Sequence, residues 1–301
     1  MTPVVAIVGP TAAGKSDLAV AVAQAVGGEV LNADSMQLYV GMDIGTAKLA
    51  PSDRGNVPHH LLDIWPVSKT ATLAEYQKLA LHEIDAVRAR EAAPILVGGS
   101  GMYVQAVVDR WQIPGTDPKL RQQLAAELAE RGSAALHDQL SALDPGAAAE
   151  ILPTNGRRIV RALEVIALQG SFQARLPARD DALGRVLIGL DVPRPELDER
   201  IADRVERMWA AGLVAEVEGL VALGLCEGET ARRALGYSHV LRYLDGEYSQ
   251  EQAKSDTVAA TRRFARRQDS WFRRDPRVTW LPYDAKDLLE QATQQVRTLS
   301  A

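Results

Sequence analysis

The stretch IVGPTAAGKS at residues 7–16 constrains the fold of this chain more than any other feature of the sequence. An apolar, β-branched run at residues 4–8 leads into it, and the segment SDLAVAVAQAV that follows has the composition of a helix. Residues 9–16 match the pattern G-x-x-x-x-G-K-[ST], in which a glycine-rich loop joins a strand to a helix. The sequence therefore predicts a phosphate-binding loop at the start of an α/β domain.

Each part of this loop has its own chemistry. Gly9 and Gly14 let backbone N–H groups curl around an anion at the N-terminus of a helix, and Lys15 adds a point charge. The Ser16 hydroxyl is a suitable ligand for Mg²⁺, which we predict as the cofactor. The predicted phosphate-binding residues are Gly9, Pro10, Thr11, Ala12, Ala13, Gly14, Lys15 and Ser16.

The aspartate that usually accompanies such a loop in ATPases has no clear counterpart. Motor and switch NTPases hold Mg²⁺ with an aspartate at the end of a later apolar strand. Here the strand PILVGGSG ends in glycines and a serine, and Asp191 is followed closely by Pro193 and Pro195. The sequence therefore does not support a standard ATPase, and the loop is free to bind a diphosphate that is not part of ATP.

The rest of the chain alternates strand and helix patterns around one helical region. Further strands are predicted at residues 29–32, 94–99 and 185–192, and long helices at residues 72–90 and 249–274. Residues 116–180 show only helical patterns, beginning with an N-cap and a proline at Asp117-Pro118. We therefore predict an α/β fold with a P-loop-containing, doubly wound, mainly parallel sheet formed by residues 1–115 and 181–301, with a small all-helical insertion domain at 116–180.

The composition limits the partners and the compartment. The 301 residues are 47% hydrophobic and carry a net charge of −5, so any nucleic-acid surface must be a local patch. The single cysteine, Cys226, excludes an internal disulfide and fits a reducing cytosol. No signal peptide or bilayer-spanning stretch is visible. We expect a soluble cytoplasmic protein with no membrane partner, and nothing in the pattern requires more than a monomer.

Asp34 lies at the carboxyl end of the second predicted strand, where open α/β sheets bind their ligands. The glycine-rich segment at residues 98–103 ends the third predicted strand at the same edge. A carboxylate so near a phosphate site is either a Mg²⁺ ligand or a base directed at an acceptor. An aspartate in this position is equally well explained as a turn or N-cap residue, so the residues alone leave the role of Asp34 open.

Arginines are concentrated on two predicted helices. Arg157, Arg158 and Arg161 share one helical face, and a second cluster at residues 262–267 contains four arginines in two rows. Such clusters in an acidic protein are typical of a surface that follows nucleic-acid phosphates. The charge pattern alone favours the plainer alternative, a solvated face paired with acids such as Asp269.

Taken in order along nearly the whole chain, these motifs resemble the tRNA dimethylallyltransferase family, also called tRNA isopentenyltransferases. Any one of them is weak, apart from DSMQLY and GTAK, and their joint order and spacing are specific. The motifs are GPTAAGKS (9–16), DSMQLY (34–39), GMDIGTAK (41–48), VPHHLLDI (57–64), PILVGGSGMYV (94–104), RRIVRALEV (157–165), ERMWAAGLVAEV (206–217), ALGYSHVLRYLDG (234–246) and TRRFARRQDSWFRR (261–274).

The resemblance implies both substrates and the reaction. Dimethylallyl diphosphate would be bound through its diphosphate, and its prenyl group would go to the exocyclic N6 amine of the adenosine 3′-adjacent to the anticodon of tRNA. Asp34 is expected to be the general base, and Thr11, the phosphate loop and Mg²⁺ at Ser16 to stabilise the leaving diphosphate. The insertion would grip the anticodon stem-loop. The implied tRNA-binding residues are Asp34, Ser35, Met36, Gln37, Gly101, Arg121, Arg157, Arg158, Ile159, Val160, Arg161, Arg262 and Arg266.

Three other functions compete with this one. A small-molecule P-loop kinase would share the loop and sheet, but the long arginine-rich helix argues against it. A prenyltransferase acting on free adenine nucleotides would need no anticodon-gripping insertion. An RNA-binding protein with a vestigial loop would have no reason to keep Thr11, Lys15, Ser16 and Asp34 together.

Overall fold

The structure, a computed structural model, describes residues 2–174, 177 and 185–300, except for the side chains of residues 299 and 300. The chain forms two compact units, one made of Met1–Asp109 with Asp180–Ala301 and the other of Arg110–Arg179. Within the described residues, no helix has both the length and the apolar character that crossing a bilayer requires.

A six-stranded sheet forms the centre of the first unit. Its strands are β1 (Val4–Val8), β2 (Gly28–Asn32), β3 (His59–His60), β4 (Ala93–Gly98), β5 (Arg185–Asp191) and β6 (Val278–Pro282). They are ordered β3-β2-β4-β1-β5-β6, and every neighbouring pair is parallel. The carboxyl ends of β1, β2 and β4 therefore meet at one edge of the sheet, where ligands of such folds bind.

Helices connect the strands and build the second unit. They are α1 (Lys15–Val26), α2 (Leu73–Ala89), α3 (Gly101–Val108), α4 (Pro118–Leu143), α5 (Pro145–Ala149), α6 (Gly156–Gln169), α7 (Arg194–Ala210), α8 (Leu213–Ala222), α9 (Tyr237–Leu244), α10 (Gln250–Phe272) and α11 (Leu288–Ser300). The predicted helix starts near residues 72 and 249 are confirmed, because Thr72 and Ser249 cap α2 and α10 with their hydroxyl oxygens.

The sheet buries both faces, as the alternation of side chains along β1 shows. Val4, Ala6 and Val8 belong to a core that also contains residues of α2, α8 and α10. Val5 and Ile7 point the other way, into a core shared with α1 and α11. Helices on both faces of a parallel sheet confirm the predicted doubly wound α/β fold.

Two strands of the sheet, β3 and β6, were not predicted from the sequence, and both are edge strands. β3 contains only His59 and His60, which form no apolar run, and it pairs with β2 over two residues. β6 has the sequence VTWLP, of which only Val278 and Leu281 are buried. Neither shows the continuous apolar pattern by which buried parallel strands are recognised.

The second unit is a small helical assembly with its own core. Asp117 caps α4 by accepting from the backbone N–H groups of Lys119 and Leu120, as the sequence predicts. Gly132, with a φ of 79°, bends α4. The core of the second unit is formed by apolar residues of α4, α5 and α6, among them Leu124, Leu136, Leu140, Ile159 and Leu163.

Candidate functional site

The phosphate loop lies between β1 and α1 and curls because three of its residues have positive φ. Gly9 has a φ of 135°, Gly14 of 95°, and Ala12 of 66°, which is unusual for a residue with a Cβ. Gly14 directly precedes α1, whose first turn contains Lys15 and Ser16. The loop thus presents the N-terminus of a twelve-residue helix, where backbone N–H groups and the helix dipole attract anions.

Cations with little negative charge around them surround this loop. The Lys15 Nζ donates to the Pro10 carbonyl oxygen over 2.7 Å. Burial, together with repulsion from Arg204, lowers the pKa of Lys15 to about 8, and the opposing attraction of Asp34 is weaker. Burial and the neighbouring charges of Arg207 and Arg200 lower the pKa of Arg204 as well. A bound polyanion would relieve this crowding of positive charge.

Two of these arginines reach the loop from α7, where they lie one turn apart. The Arg200 Nε donates to the carbonyl oxygen of Ala12 over 2.9 Å. An Arg204 guanidinium N–H donates to the Thr11 hydroxyl oxygen over 3.4 Å. Neither residue was predicted from the sequence as part of the site. Their i, i+4 spacing in ERIADRVER was the signal available in the sequence.

Asp34 follows β2 and is held in place by its own turn. The Asn32 Oδ1 accepts from the Asp34 backbone N–H over 2.8 Å, and an Asp34 carboxylate oxygen accepts from the Met36 N–H over 2.9 Å. Burial raises the pKa of Asp34, although the Met36 N–H and the charge of Lys15 oppose the shift. A carboxylate with a raised pKa is a better proton acceptor than an ordinary one.

A cavity of about 300 Å³ brings these groups together within the first unit. Thr11, Asp34 and Arg204 contribute polar atoms to its wall. Apolar side chains of α7 and of the segment before α9 form another part of the wall: Ile201, Val205, Met208, Ala234 and Leu235. The cavity therefore offers a carboxylate, a cation and an apolar surface to the same occupant.

Glu216 fixes another wall of the cavity, which includes Gly45 and Thr46. Its carboxylate accepts from three successive backbone N–H groups, those of residues 43, 44 and 45, and from the Tyr237 hydroxyl over 2.5 Å. A Cβ on Gly45 would lie 2.4 Å from the Tyr237 ring, so only glycine fits there. The motifs at 41–48 and 206–217 are both visible in the sequence, but this link between them depends on a hydrogen bond between residues 171 positions apart and was not predicted.

The other predicted residues of the first unit lie near the cavity in different roles. Ser35 and Met36 line it, and the Ser35 N–H donates to the Ser100 hydroxyl over 3.3 Å. The Gln37 amide donates to the Thr46 carbonyl oxygen over 3.0 Å. Gly101 lies against Trp271, whose Cδ1 would be 2.3 Å from a Cβ at that position. The space left by the missing side chain of Gly101 is therefore occupied by the indole ring of Trp271.

In the second unit, the predicted RNA-binding residues divide into three groups. Arg121 and Arg161 donate to the Glu164 carboxylate over 2.6 and 2.8 Å, and Arg161 also donates to the Pro114 and Gly115 carbonyl oxygens. The side chains of Ile159 and Val160 are buried in the core of the unit, so the prediction that they contact RNA is not supported by their placement. Arg157 and Arg158 are exposed on α6.

The arginines of α10 also differ from one another. The Arg262 guanidinium donates to the Asp198 carbonyl oxygen over 3.0 Å, which ties α10 to α7. Arg266 is exposed and has no side-chain hydrogen bond or ion pair within the described part of the chain. Arg267, which the sequence analysis did not include among the site residues, lines the cavity together with Phe264. The arginine cluster at residues 262–267 therefore contains Arg262, which makes a structural contact between helices, beside Arg266 and Arg267, which are available to a ligand.

Comparison with known proteins gives a consistent result. A sequence model of the family described as IPP transferase matches residues 37–275. Proteins described as tRNA dimethylallyltransferase are similar to this chain in Thermobifida fusca, with 61% identity covering 97% of this chain and 93% of the relative, and in Streptomyces avermitilis, with 63% identity covering 95% and 92%. The crystal structure of a tRNA isopentenylpyrophosphate transferase from Bacillus halodurans is 39% identical, with a TM-score of 0.75, and covers 100% of this chain and 98% of that one.

Proposed function

The chain belongs to the IPP transferase family, and we propose that it transfers the dimethylallyl group of dimethylallyl diphosphate to tRNA. The acceptor in this proposal is the exocyclic N6 amine of the adenosine 3′-adjacent to the anticodon. The products are N6-dimethylallyladenosine in the tRNA and free diphosphate. The observation that carries the proposal is the common cavity, in which Asp34, Thr11 of the phosphate loop and Arg204 line the same space.

The reaction needs a proton acceptor, and the cavity supplies one. The N6 amine is a poor nucleophile because its lone pair is delocalised into the purine ring. As its nitrogen forms a bond to C1 of the prenyl group, the C1–O bond to diphosphate breaks and the amine loses a proton. Asp34 accepts that proton, and its raised pKa suits the task.

The leaving diphosphate needs positive charge and hydrogen-bond donors. The N-terminus of α1, Lys15 and Arg204 provide them in fixed positions, so little reorganisation is needed as negative charge develops. The Thr11 hydroxyl, which accepts from Arg204, is available to donate its own proton to a phosphate oxygen. The apolar wall formed by Ile201, Val205 and Met208 suits the prenyl group and keeps water from the reacting carbon.

Mg²⁺ fits this arrangement through Ser16. The ion is usually bound by one or two protein oxygens together with substrate phosphates and waters. The Ser16 hydroxyl lies in the first turn of α1, partly exposed and next to the predicted phosphate position. Within the described residues no three His, Cys, Asp or Glu side chains are grouped as metal ligands, which agrees with an ion held largely by diphosphate. When bound, it neutralises charge on the leaving group.

The acceptor base must leave its stack in the anticodon loop to reach Asp34, as bases do in other base-modifying enzymes. Ser35 and Met36 line the cavity beside Asp34, and in this proposal they contact the edge and face of the extruded base. Exposed Arg157, Arg158 and Arg266 are proposed contacts for tRNA phosphates. We propose that the enzyme works as a monomer on tRNA in the cytoplasm.

One transfer assay tests the proposal against its alternatives. The protein is incubated with Mg²⁺, without ATP, with dimethylallyl diphosphate labelled in the prenyl group and either tRNA or AMP. We expect label in tRNA, at the adenosine that follows the anticodon, and none in AMP. Label in AMP alone would identify a nucleotide prenyltransferase. No transfer to either acceptor would refute the proposal and return the choice to the kinase and RNA-binding alternatives.

A further inference from the structure

Gln268 lies on α10 directly after Arg267 and is only 5% exposed. Its Oε1 accepts from the Thr11 backbone N–H over 2.8 Å. Its Nε2 donates to the Gly99 carbonyl oxygen over 3.0 Å. One side-chain amide therefore joins three segments that are distant in sequence: the phosphate loop, the loop after β4, and the arginine-rich helix.

Gly99, in the loop after β4, and Gly101, the first residue of α3, both leave space for side chains of α10. A Cβ on Gly99 would lie 2.1 Å from the Gln268 Nε2, well inside van der Waals contact. A Cβ on Gly101 would lie 2.3 Å from Trp271, which is one turn further along the same face of α10. Both glycines therefore make room for side chains of α10.

The contact with Gln268 also occupies the backbone N–H of Thr11 and restrains its position. Its N–H is one of the groups of the phosphate loop, and in this structure it is committed to Gln268. The hydroxyl of the same residue lines the cavity and accepts from Arg204. When Gln268 fixes the backbone of Thr11, it also restricts the position of the Thr11 hydroxyl. That hydroxyl is the group that accepts from Arg204 and would face the diphosphate.

We infer that Gln268 is a positioning residue, which holds the phosphate loop and the loop after β4 in their active arrangement from α10. The inference rests on the proposed function, because it takes the phosphate loop as the donor site. In this inference, Gly99 and Gly101 allow α10 to pack closely against the phosphate site. Gln268 is then important for diphosphate binding and catalysis, but not for contact with RNA.

The first test replaces Gln268 with a side chain of similar length that cannot hydrogen-bond. In Gln268→Met the Thr11 N–H and the Gly99 carbonyl lose their partner in a buried setting, so inorganic diphosphate should bind roughly 10-fold more weakly and kcat should fall at least as much. Affinity for tRNA should stay within about twofold, because the exposed arginines proposed to contact tRNA phosphates are unchanged. The control is Gln252→Met, an exposed position on the same helix, which should change none of these values.

The second test asks whether Gly99 and Gln268 act as a pair. Gly99→Ala should weaken diphosphate binding about as much as Gln268→Ala, because its methyl group displaces the amide. In the double variant both close contacts with Gln268 are gone, and the next neighbour of the methyl group is the Gly9 carbonyl oxygen at 3.3 Å, a tight contact that a small shift of the loop must accommodate. We therefore expect the double variant to match Gln268→Ala within about threefold, so that the two losses do not multiply.

The outcomes separate this inference from the proposed function. If the wild-type protein transfers no prenyl group, the proposed function fails, whereas diphosphate binding by the variants still tests the contact. Unchanged diphosphate affinity in Gln268→Met, an equal loss of tRNA affinity, or multiplying losses in the double variant would each overturn the inference. Should Gln268→Met unfold, Gln268→Glu replaces it, because it keeps the acceptor for Thr11 and lacks the donor for Gly99; normal diphosphate affinity in that variant would likewise overturn the inference.

Discussion

The cations around the phosphate loop and those around Glu164 are held in opposite electrostatic conditions. At the loop, Lys15 and Arg204 are crowded together with little negative charge nearby, and the pKa of each is lowered. In the second unit, Arg121 and Arg161 converge on the fully buried side chain of Glu164. Burial opposes the ionisation of Glu164, but hydrogen bonds from Arg161 and Arg121 outweigh it and lower its pKa.

This difference distinguishes structural cations from functional ones. Where a carboxylate already neutralises an arginine, the pair is part of the folded structure, and binding an RNA phosphate would require breaking it. Where cations repel one another in a buried setting, an incoming anion relieves an existing cost. The phosphate loop is thus prepared for a ligand, whereas the Glu164 cluster is complete without one.

The charge of Asp34 raises the pKa of both unbalanced cations, Lys15 and Arg204, and its removal should have the largest effect. We expect Asp34→Asn to lower the transfer rate by about 10² to 10⁴, the usual contribution of a general base. Because the Asp34 charge raises the pKa of Lys15, the same change should also lower that pKa below about 8. Single-turnover transfer to tRNA measures the first effect, and diphosphate affinity against pH measures the second.

The control for this prediction is the wild-type protein at each pH, because diphosphate itself titrates in the same range. In the wild type, donor binding should weaken as pH rises through about 8, where Lys15 loses its proton. The variant should weaken at a lower pH. An unchanged transfer rate, or an unshifted profile, would show that Asp34 does not face the donor site as described.

Removing Arg204 tests the crowding directly. We expect Arg204→Gln to lower the transfer rate by about 10² to 10³, as the loss of one donor to a developing anion does. Its removal also ends a repulsion that lowers the pKa of Lys15, so the basic limb of donor kcat/KM should move above pH 8. A matched control is Arg207→Gln, which changes the same charge on α7 but whose Nε donates to a carbonyl within its own helix. Equal effects of the two variants would contradict a specific role for Arg204.

A substitution in the Glu164 cluster should change the stability of the protein and not its diphosphate binding or catalysis. Glu164→Gln leaves Arg121 and Arg161 without their anion, and we expect a loss of about 1–3 kcal/mol of unfolding free energy at pH 7. Since the native pKa of Glu164 is lowered, its stabilisation is complete above the ordinary value of 4.5 and is lost as pH falls through the native pKa. The variant should therefore show a flatter dependence of stability on pH.

Denaturant unfolding at several pH values measures this change, and diphosphate affinity serves as the internal control. Because Glu164 belongs to the second unit, we expect diphosphate to bind the variant as it binds the wild type. An unaltered unfolding free energy, or a weakened diphosphate affinity, would show that the cluster is not the self-contained structural feature described above.

The sequence was sufficient for the parts of this molecule that depend on local pattern. The strand–loop–helix order around residues 9–16, the N-cap at Asp117 and the helix starts near residues 72 and 249 follow from neighbouring residues, and the structure confirms them. The family itself followed from the order of the motifs, and the comparisons bear it out.

Contacts between distant segments were not predictable in this way. Arginine patterns look alike whether or not a carboxylate answers them, so the sequence did not distinguish Arg161, held by Glu164, from Arg266, which is exposed. The role of Gln268 depends on partners at positions 11 and 99, and that of Glu216 on a loop more than 170 residues away. Such partners are identified by the fold and not by any local pattern.

The smallest predicted effect concerns tRNA affinity and compares Arg266 on α10 with Arg121 on α4. Arg266 has no partner within the described chain, so Arg266→Ala should weaken tRNA binding several-fold at low salt and reduce the salt slope by about one, as loss of a single phosphate contact does. Arg121 is already paired with Glu164, so Arg121→Ala should leave the slope unchanged and lower stability instead. Filter binding of tRNA over a salt series, with a melting curve for each variant, measures both quantities. A reduced slope for Arg121→Ala would mean that tRNA breaks the Glu164 pairing on binding, and the distinction between structural and available arginines would then fail at its most direct test.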